Sequence, residues 1–280
     1  MPHKHQINAK EKRHSLVCLC LLMAAFQSFT ANAREQVNIA IRYDVLPYVA
    51  EAGTSGMEID IVRAIFAETD FHPTFIQMPR VRMIQSFNAK AMDGVLTSNV
   101  AVAGEGCLTN WYIQHQNVGF TLSSKDVAFD NLDDVTNHSI ITFDGATRFL
   151  GNRFAEAATA SPRYVESSDQ NTHISLLYAG YFDAAIGDEW ILRLAQVNQR
   201  ESNGEYQPLT VHRILPVTNY GARFHDQRVC DAFNRGLDKI RSNGIYNLIV
   251  RSHLDQISAQ ITIYDTELAE ADNIGSSVED

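Results

Sequence analysis

The chain is poor in the residues that usually announce chemistry. It has 280 residues but only four cysteines and two tryptophans. Cys18 and Cys20 fall in the first apolar stretch, which leaves Cys107 and Cys230 for the folded protein. Two thiols with no His or Cys partner at ligand spacing are a poor set for zinc. They fit either a disulfide formed in an oxidising compartment or a pair of buried thiols, because sequence does not show whether their Cα atoms come within reach. The leading apolar run is roughly a dozen residues, short of the ~20 a helix needs to span a bilayer, and no later segment is apolar enough to cross. No phosphate loop, metal cluster or Ser/His/Asp grouping argues for an enzyme in general, and no cofactor is implied. Basic residues are scarce too. No Lys or Arg lies between Lys90 and Lys125, and none follows Arg251.

The first 33 residues have the form of an export signal. Lys4, Lys10, Lys12 and Arg13 make a basic head, Ser15 to Phe26 an apolar middle, and Ala31-Asn32-Ala33 a small-x-small cleavage site. Neither Cys18 nor Cys20 is preceded by a small residue, which disfavours a lipoprotein. Cleavage after Ala33 removes four basic residues and Glu11 from totals of 23 Lys+Arg and 33 Asp+Glu. The remaining 19 and 32 give a net charge of −13, against −10 for the whole chain. So acidic a protein is a poor partner for nucleic acid or an anionic lipid surface. The expectation is an exported, periplasmic protein, long enough for two lobes with real cores.

Strand-like and helix-like segments alternate, which predicts an α/β fold of mixed, mostly parallel sheets with flanking helices. Val37–Ile41, Thr74–Met78 and Asp93–Thr97 read as strands, and Arg82–Lys90 as a helix. Ser139–Phe143, Pro162–Val165 and Asp183–Gly187 repeat the plan, with helices from Thr147 and from about Ile174. The recurrence of acid, apolar strand and polar exit at Asp93 and Asp183 suggests two halves that each present strand ends to one crevice. Tyr206–Val217 reads as an extended crossover, and Gln227–His253 as two helices broken at Ser242-Asn243-Gly244. After Leu254 come seven acids and no base. Ile257, Ile261 and Ile263 give this end some means to pack, but its composition favours a solvated tail.

The order of certain pieces resembles the extracellular solute-binding proteins of family three, the type II periplasmic binding proteins of polar amino acids. They are Leu46-Pro47-Tyr48, Gly56-Met57-Glu58-Ile59-Asp60, Met78-Pro79-Arg80-Val81-Arg82 and Asp93-Gly94-Val95-Leu96. Leu132-Asp133-Asp134-Val135, Gly145-Ala146-Thr147, Leu177 to Asp183 with Asp188, Asn219-Tyr220-Gly221-Ala222 and Phe233 to Leu237 follow. The resemblance covers about Val37 to Leu254. It implies a two-lobed fold closing on a small solute, with a signal peptide over 1–33, lobe 1 over 34–122 and 216–254, lobe 2 over 123–215, and an acidic tail over 255–280. It further implies a monomer that delivers its solute to the membrane permease of an ABC transporter, or informs a membrane sensor. Some proteins of this fold are periplasmic dehydratases acting on cyclic precursors of aromatic amino acids, as cyclohexadienyl dehydratase does, and Glu58 or Glu105 would be the acid for that chemistry.

One feature of the family is missing. The Arg that takes a ligand α-carboxylate falls near Glu105 in this sequence, so an ordinary amino acid is less certain than the fold. The remaining candidates each have two roles. Asp188 suits a ligand amino group or the N-cap of a helix starting at Glu189. Tyr43 and Tyr48 offer aromatic faces to a solute or roof the first core. Glu58 faces the cleft or serves structure, while Asp60 favours a helix start. Arg80 and Arg82 are replacement carboxylate clamps or solvated helix residues. Thr97, Ser98 and Asn99 end a strand and have donors for a solute. Thr147, with Gly145 and Ala146, opens a helix whose N–H groups suit an anion or simply make a turn. Trp111 and Trp190 read as core or lobe-surface residues.

Overall fold

Apolar strands that end in polar residues, each followed by a one-sided helix, build both halves of the protein. The structure, a computed structural model, describes residues 34–43, 45–100, 104–127 and 129–276, and side chains only to 270. The expected signal peptide therefore lies outside the described residues. The unit that begins at Gln36 holds the cores and the cleft.

In chain order, β1 (Glu35–Ile41), α1 (Met57–Ala67), β2 (Phe71–Gln77), α2 (Arg80–Asn88) and β3 (Gly94–Ser98) form the first βαβ series. The short β4 (Cys107–Leu108) and the long β5 (Ile113–Leu122) lead into the second series. That series comprises β6 (Ser139–Phe143), α3 (Ala146–Phe149), α4 (Asn152–Ala160), β7 (Arg163–Ser167), α5 (Thr172–Tyr178), β8 (Ala184–Asp188) and α6 (Glu189–Asn203). The return runs through β9 (Leu209–His212) and β10 (Val217–Phe224) into α7 (Gln227–Ser242) and α8 (Ile245–Ser276).

The strands follow the order β2-β1-β3-β10-β5-β8-β6-β7. Pairs within each βαβ series are parallel, as β1 with β3 and β6 with β7 and β8. The crossing strands are antiparallel: β10 to β3 and β5, and β5 to β8 and β9. β5 was not evident as a strand in the sequence, because Gln114, His115, Gln116 and Asn117 interrupt its apolar pattern. Those polar residues sit where β5 passes from one lobe to the other.

Two sets of cores follow from this. Ile39, Ile61, Val62, Ile65 and Phe66 pack with Phe224, Phe233 and Leu237 in the first lobe. Val118, Phe120, Ile174, Leu177 and Leu192 pack in the second. Gly56 makes the entry to α1 feasible. Its φ is +110°, and a Cβ there would lie 2.4 Å from the Tyr48 carbonyl oxygen. Cys107 and Cys230 are joined by a disulfide with Cα atoms 6.4 Å apart, tying β4 to α7.

Two expectations are corrected. The helix expected from Thr147 is split by Gly151, whose φ of +90° ends α3 and starts α4. The end of the chain is helical to Ser276 rather than a solvated tail. Ile257 and Ile261 are buried there against Val197 and Tyr206, so a one-sided apolar stripe outweighs the acidic composition. Tyr206 donates to Asp265 at 2.8 Å, and Arg200 pairs with Glu267. Tyr246, Ile249, Val250 and Leu254 pack on the first-lobe core, so α8 touches both lobes.

Candidate functional site: a cleft between the lobes

Strand ends from both lobes meet at one cleft. Arg42 follows β1, Thr97 and Ser98 end β3, and Arg80 opens α2; opposite them stand Phe143 at the end of β6 and Asp188 at the end of β8. The cleft has an outer part of about 380 Å³, which includes Tyr43 and the exposed acids Asp144 and Asp169. An inner chamber of about 40 Å³ joins Arg42, Arg80, Thr97, His115 and Asp188.

Asp188 is the N-cap of the helix that starts at Glu189, and it also lines the inner chamber. Its Oδ1 accepts from the Trp190 and Ile191 N–H groups at 3.1 and 3.3 Å and so caps α6. The same oxygen accepts from the Tyr48 hydroxyl at 2.8 Å, linking the two lobes. Its Oδ2 makes no hydrogen bond, although His115 Nδ1 stands 3.3 Å away, and it borders the chamber. The His115 ring stacks on Tyr48 with centroids 4.3 Å apart, and its Nε2 is buried without a partner. Tyr48 is thus fully buried and serves Asp188, rather than forming an open aromatic wall. Burial and the neighbouring Asp188 carboxylate push its phenol well above the usual range.

Neither Glu58 nor Glu105, the two glutamates nominated in the sequence, lines the chamber. Glu58 is 1% exposed. It accepts from Thr97 Oγ1 at 2.6 Å and from the Tyr112 hydroxyl, which in turn accepts from the Thr97 N–H at 3.1 Å. This network holds Thr97 at a φ of +50° and takes up Glu58 in structure. Glu105 is exposed on the surface. Two guanidinium groups face the cavity instead. Arg42 Nε and Nη2 and Arg80 Nη2 are buried and donate to no acceptor among the described residues. The Arg80 guanidinium also stacks 3.8 Å over the Phe149 ring of the second lobe. Burial above all, and then the facing Arg42, bring its pKa down to about 10.

The other candidates fall outside this chamber. Thr147 opens α3, but that helix start is filled from within. Glu166 accepts from the Gly145 and Thr147 N–H groups at 2.8 and 3.0 Å and from Thr147 Oγ1 at 3.0 Å. Burial raises the Glu166 carboxyl, but these bonds outweigh it and hold the pKa low. Arg82 is exposed on α2 and does not border the cleft. Asn99 turns its carbonyl to Arg223 Nη2 at 3.4 Å. Ser98 borders the cavity beside Arg42 with its hydroxyl buried and unpartnered. Trp111 lies under Arg241, and Trp190 packs with the Ile257–Ile261 cluster. Arg42 and His115 were missed in the sequence. Arg42 had one legible signal, its place immediately after a strand, where open α/β sheets hold ligands. His115 had none, because the strand that carries it was itself unseen.

This arrangement is the fold of the two-lobed, type II periplasmic binding proteins. The chain matches no family model and no curated protein. Among solved structures it is similar to a histidine kinase sensor domain with similarity to periplasmic binding proteins, at 19% identity and TM-score 0.65, covering 79% of this chain and 97% of that one. It is similar to an amino acid ABC transporter substrate-binding protein from Streptococcus pneumoniae bound to L-arginine, at 15% identity and TM-score 0.61, covering 81% and 96%. An ancestral amino-acid-binding protein, a precursor of cyclohexadienyl dehydratase, matches at 13% identity and TM-score 0.61, covering 79% and 96%.

Proposed function

We propose that this chain is an exported, periplasmic solute-binding protein that captures a small polar, amino-acid-like metabolite between its lobes. It works without catalysis, as a monomer, and hands its solute to the membrane permease of an ABC transporter. The lobes correspond to 34–122 with 216–254, and to 123–215. The observation that carries this reading is the inner chamber, where both lobes contribute buried polar atoms with no hydrogen-bond partner among the described residues. Arg42 and Arg80 supply them from one side, Asp188 from the other, with His115 on the crossing strand. Native proteins leave few such groups unpaired, because each costs about 1–3 kcal/mol. A polar solute that pairs them restores that energy only when the lobes are together, which couples binding to closure.

A thermal-shift screen of polar amino acids, amines and small organic acids tests it. A bound solute raises the melting temperature by mass action, and Asp188→Asn and Tyr48→Phe should each reduce that shift. If no member of the panel moves the melting temperature of the folded protein, the reading fails.

One observation favours a second reading, a sensor docking on a membrane receptor. α8 packs on α1 and α7 with its first half and on α6 with its second. A change in lobe angle therefore has to shift α8 against one lobe, giving closure an outward mechanical signal. Co-purification with a permease supports transport; capture by a receptor's periplasmic domain supports sensing.

A further inference from the structure

We propose that the solute is an acidic amino acid, held by a carboxylate clamp made of Arg42 and Arg80. The inference rests on the solute-binding reading and names its ligand class.

The clamp is built from two elements that face the same chamber. Arg42 leaves the end of β1 and Arg80 starts α2, and both border the outer and inner cavities. Three guanidinium nitrogens, Arg42 Nε and Nη2 and Arg80 Nη2, are buried with no acceptor among the described residues. Two like charges so placed repel; Arg80 bonds Tyr220 and is drawn by Glu58, but the three named nitrogens lack the acceptor that would offset their desolvation. The depressed Arg80 pKa has that cause. Guanidinium forks match carboxylates two bonds at a time; Arg42 Nε and Nη2 offer such a fork and Arg80 Nη2 a single donor, a set that suits carboxylate oxygens.

The rest of the chamber asks for a donor. Asp188 is 2% exposed and its Oδ2 makes no hydrogen bond, with His115 Nδ1 3.3 Å away and Nε2 of that ring buried without a partner. An ammonium group fills that need, since Oδ1 is already committed to α6 and Tyr48. Glu58 tempers the local positive field, but its carboxylate is bonded to Thr97 and Tyr112 and leaves the three guanidinium nitrogens without an acceptor. Asp144 and Asp169 are exposed at the mouth, where water screens them. A zwitterion with a second carboxylate gives one acceptor group to each arginine and one donor group to Asp188. A neutral amino acid leaves one guanidinium unpaired, and a cationic one adds a charge beside Arg42 and Arg80.

The test is calorimetric titration at pH 7 with L-glutamate, L-aspartate, L-glutamine, L-arginine, succinate and inorganic phosphate. Glutamate or aspartate should bind at least about 10-fold tighter than glutamine or arginine, and tighter than succinate, which lacks the ammonium. Arg42→Gln and Arg80→Gln should each weaken the acidic ligand by about 10- to 100-fold, the range of a lost hydrogen bond to a charged group. The ligand-free Arg42→Gln protein should melt no lower than the parent, because its free nitrogens bond nothing in the protein. A fall would mark Arg42 as structural and overturn the clamp. Equal or tighter binding of glutamine or arginine overturns the proposal while leaving a solute-binding protein. Phosphate binding without the amino acids also overturns it, in favour of an oxyanion site. If a broader metabolite panel fails as well, the solute-binding reading falls with it.

Discussion

His173 should make the second lobe acid-sensitive by an amount that can be worked out. It sits in α5 with no exposed surface. Burial pushes its imidazole from 6.5 to about 4, against weaker pulls from Asp169 and the Ser167 backbone. A folded-state pKa below the unfolded value means that the unfolded chain binds the proton first. The folded state is therefore at full strength above pH 6.5 and loses stability as pH falls toward 4. At pH 5 the linkage amounts to about 2 kcal/mol relative to pH 7, and it approaches about 3 kcal/mol at pH 4. Urea denaturation of the parent and of His173→Leu at pH 7 and pH 5 isolates the effect. Carboxylates with lowered pKa values, such as Asp183 and Glu166, also lose their contribution in acid, but they do so in both proteins and cancel in the difference. The variant should lose about 2 kcal/mol less than the parent between the two pH values. Equal losses would refute the claim that His173 is buried neutral.

Glu58→Gln should lower stability by about 1–3 kcal/mol in denaturant melts, because it weakens two hydroxyl bonds to a buried carboxylate; unchanged stability would mean that Glu58 is free for the ligand. Ile261→Asp should detach the second half of α8 from α6 at a cost of about 2–4 kcal/mol, seen as faster proteolysis after Leu254, since a charge cannot stay in that apolar cluster.

Much of the fold was legible because its signals are local. The apolar runs at Val37–Ile41, Ser139–Phe143 and Asp183–Gly187, the glycine before α1 and the break at Ser242-Asn243-Gly244 need only neighbouring residues to be read. Asp188 was legible for the same reason, as a carboxylate between a strand and a helix. The acidic end misled because its composition is that of a solvated segment, whereas Ile257 and Ile261 lie on one helical face. That face matters only where α6 and Tyr206 offer a surface to cover it.

The sequence by itself determined an α/β chain whose strand ends carry polar residues, and hence where a cleft had to be. Only the tertiary structure decided which of those residues the cleft uses. Glu58 and Thr147 look like ligand groups in the sequence, but Tyr112, Thr97 and Glu166 arrive from distant segments and pair with them first. Arg80 reads in the sequence as a carboxylate clamp or a solvated residue and Arg42 does not stand out, yet the fold buries Arg42 Nε and Nη2 and Arg80 Nη2 with no acceptor among the described residues. Hydrogen-bond satisfaction is a property of what converges in space, and the sequence records only what is adjacent along the chain.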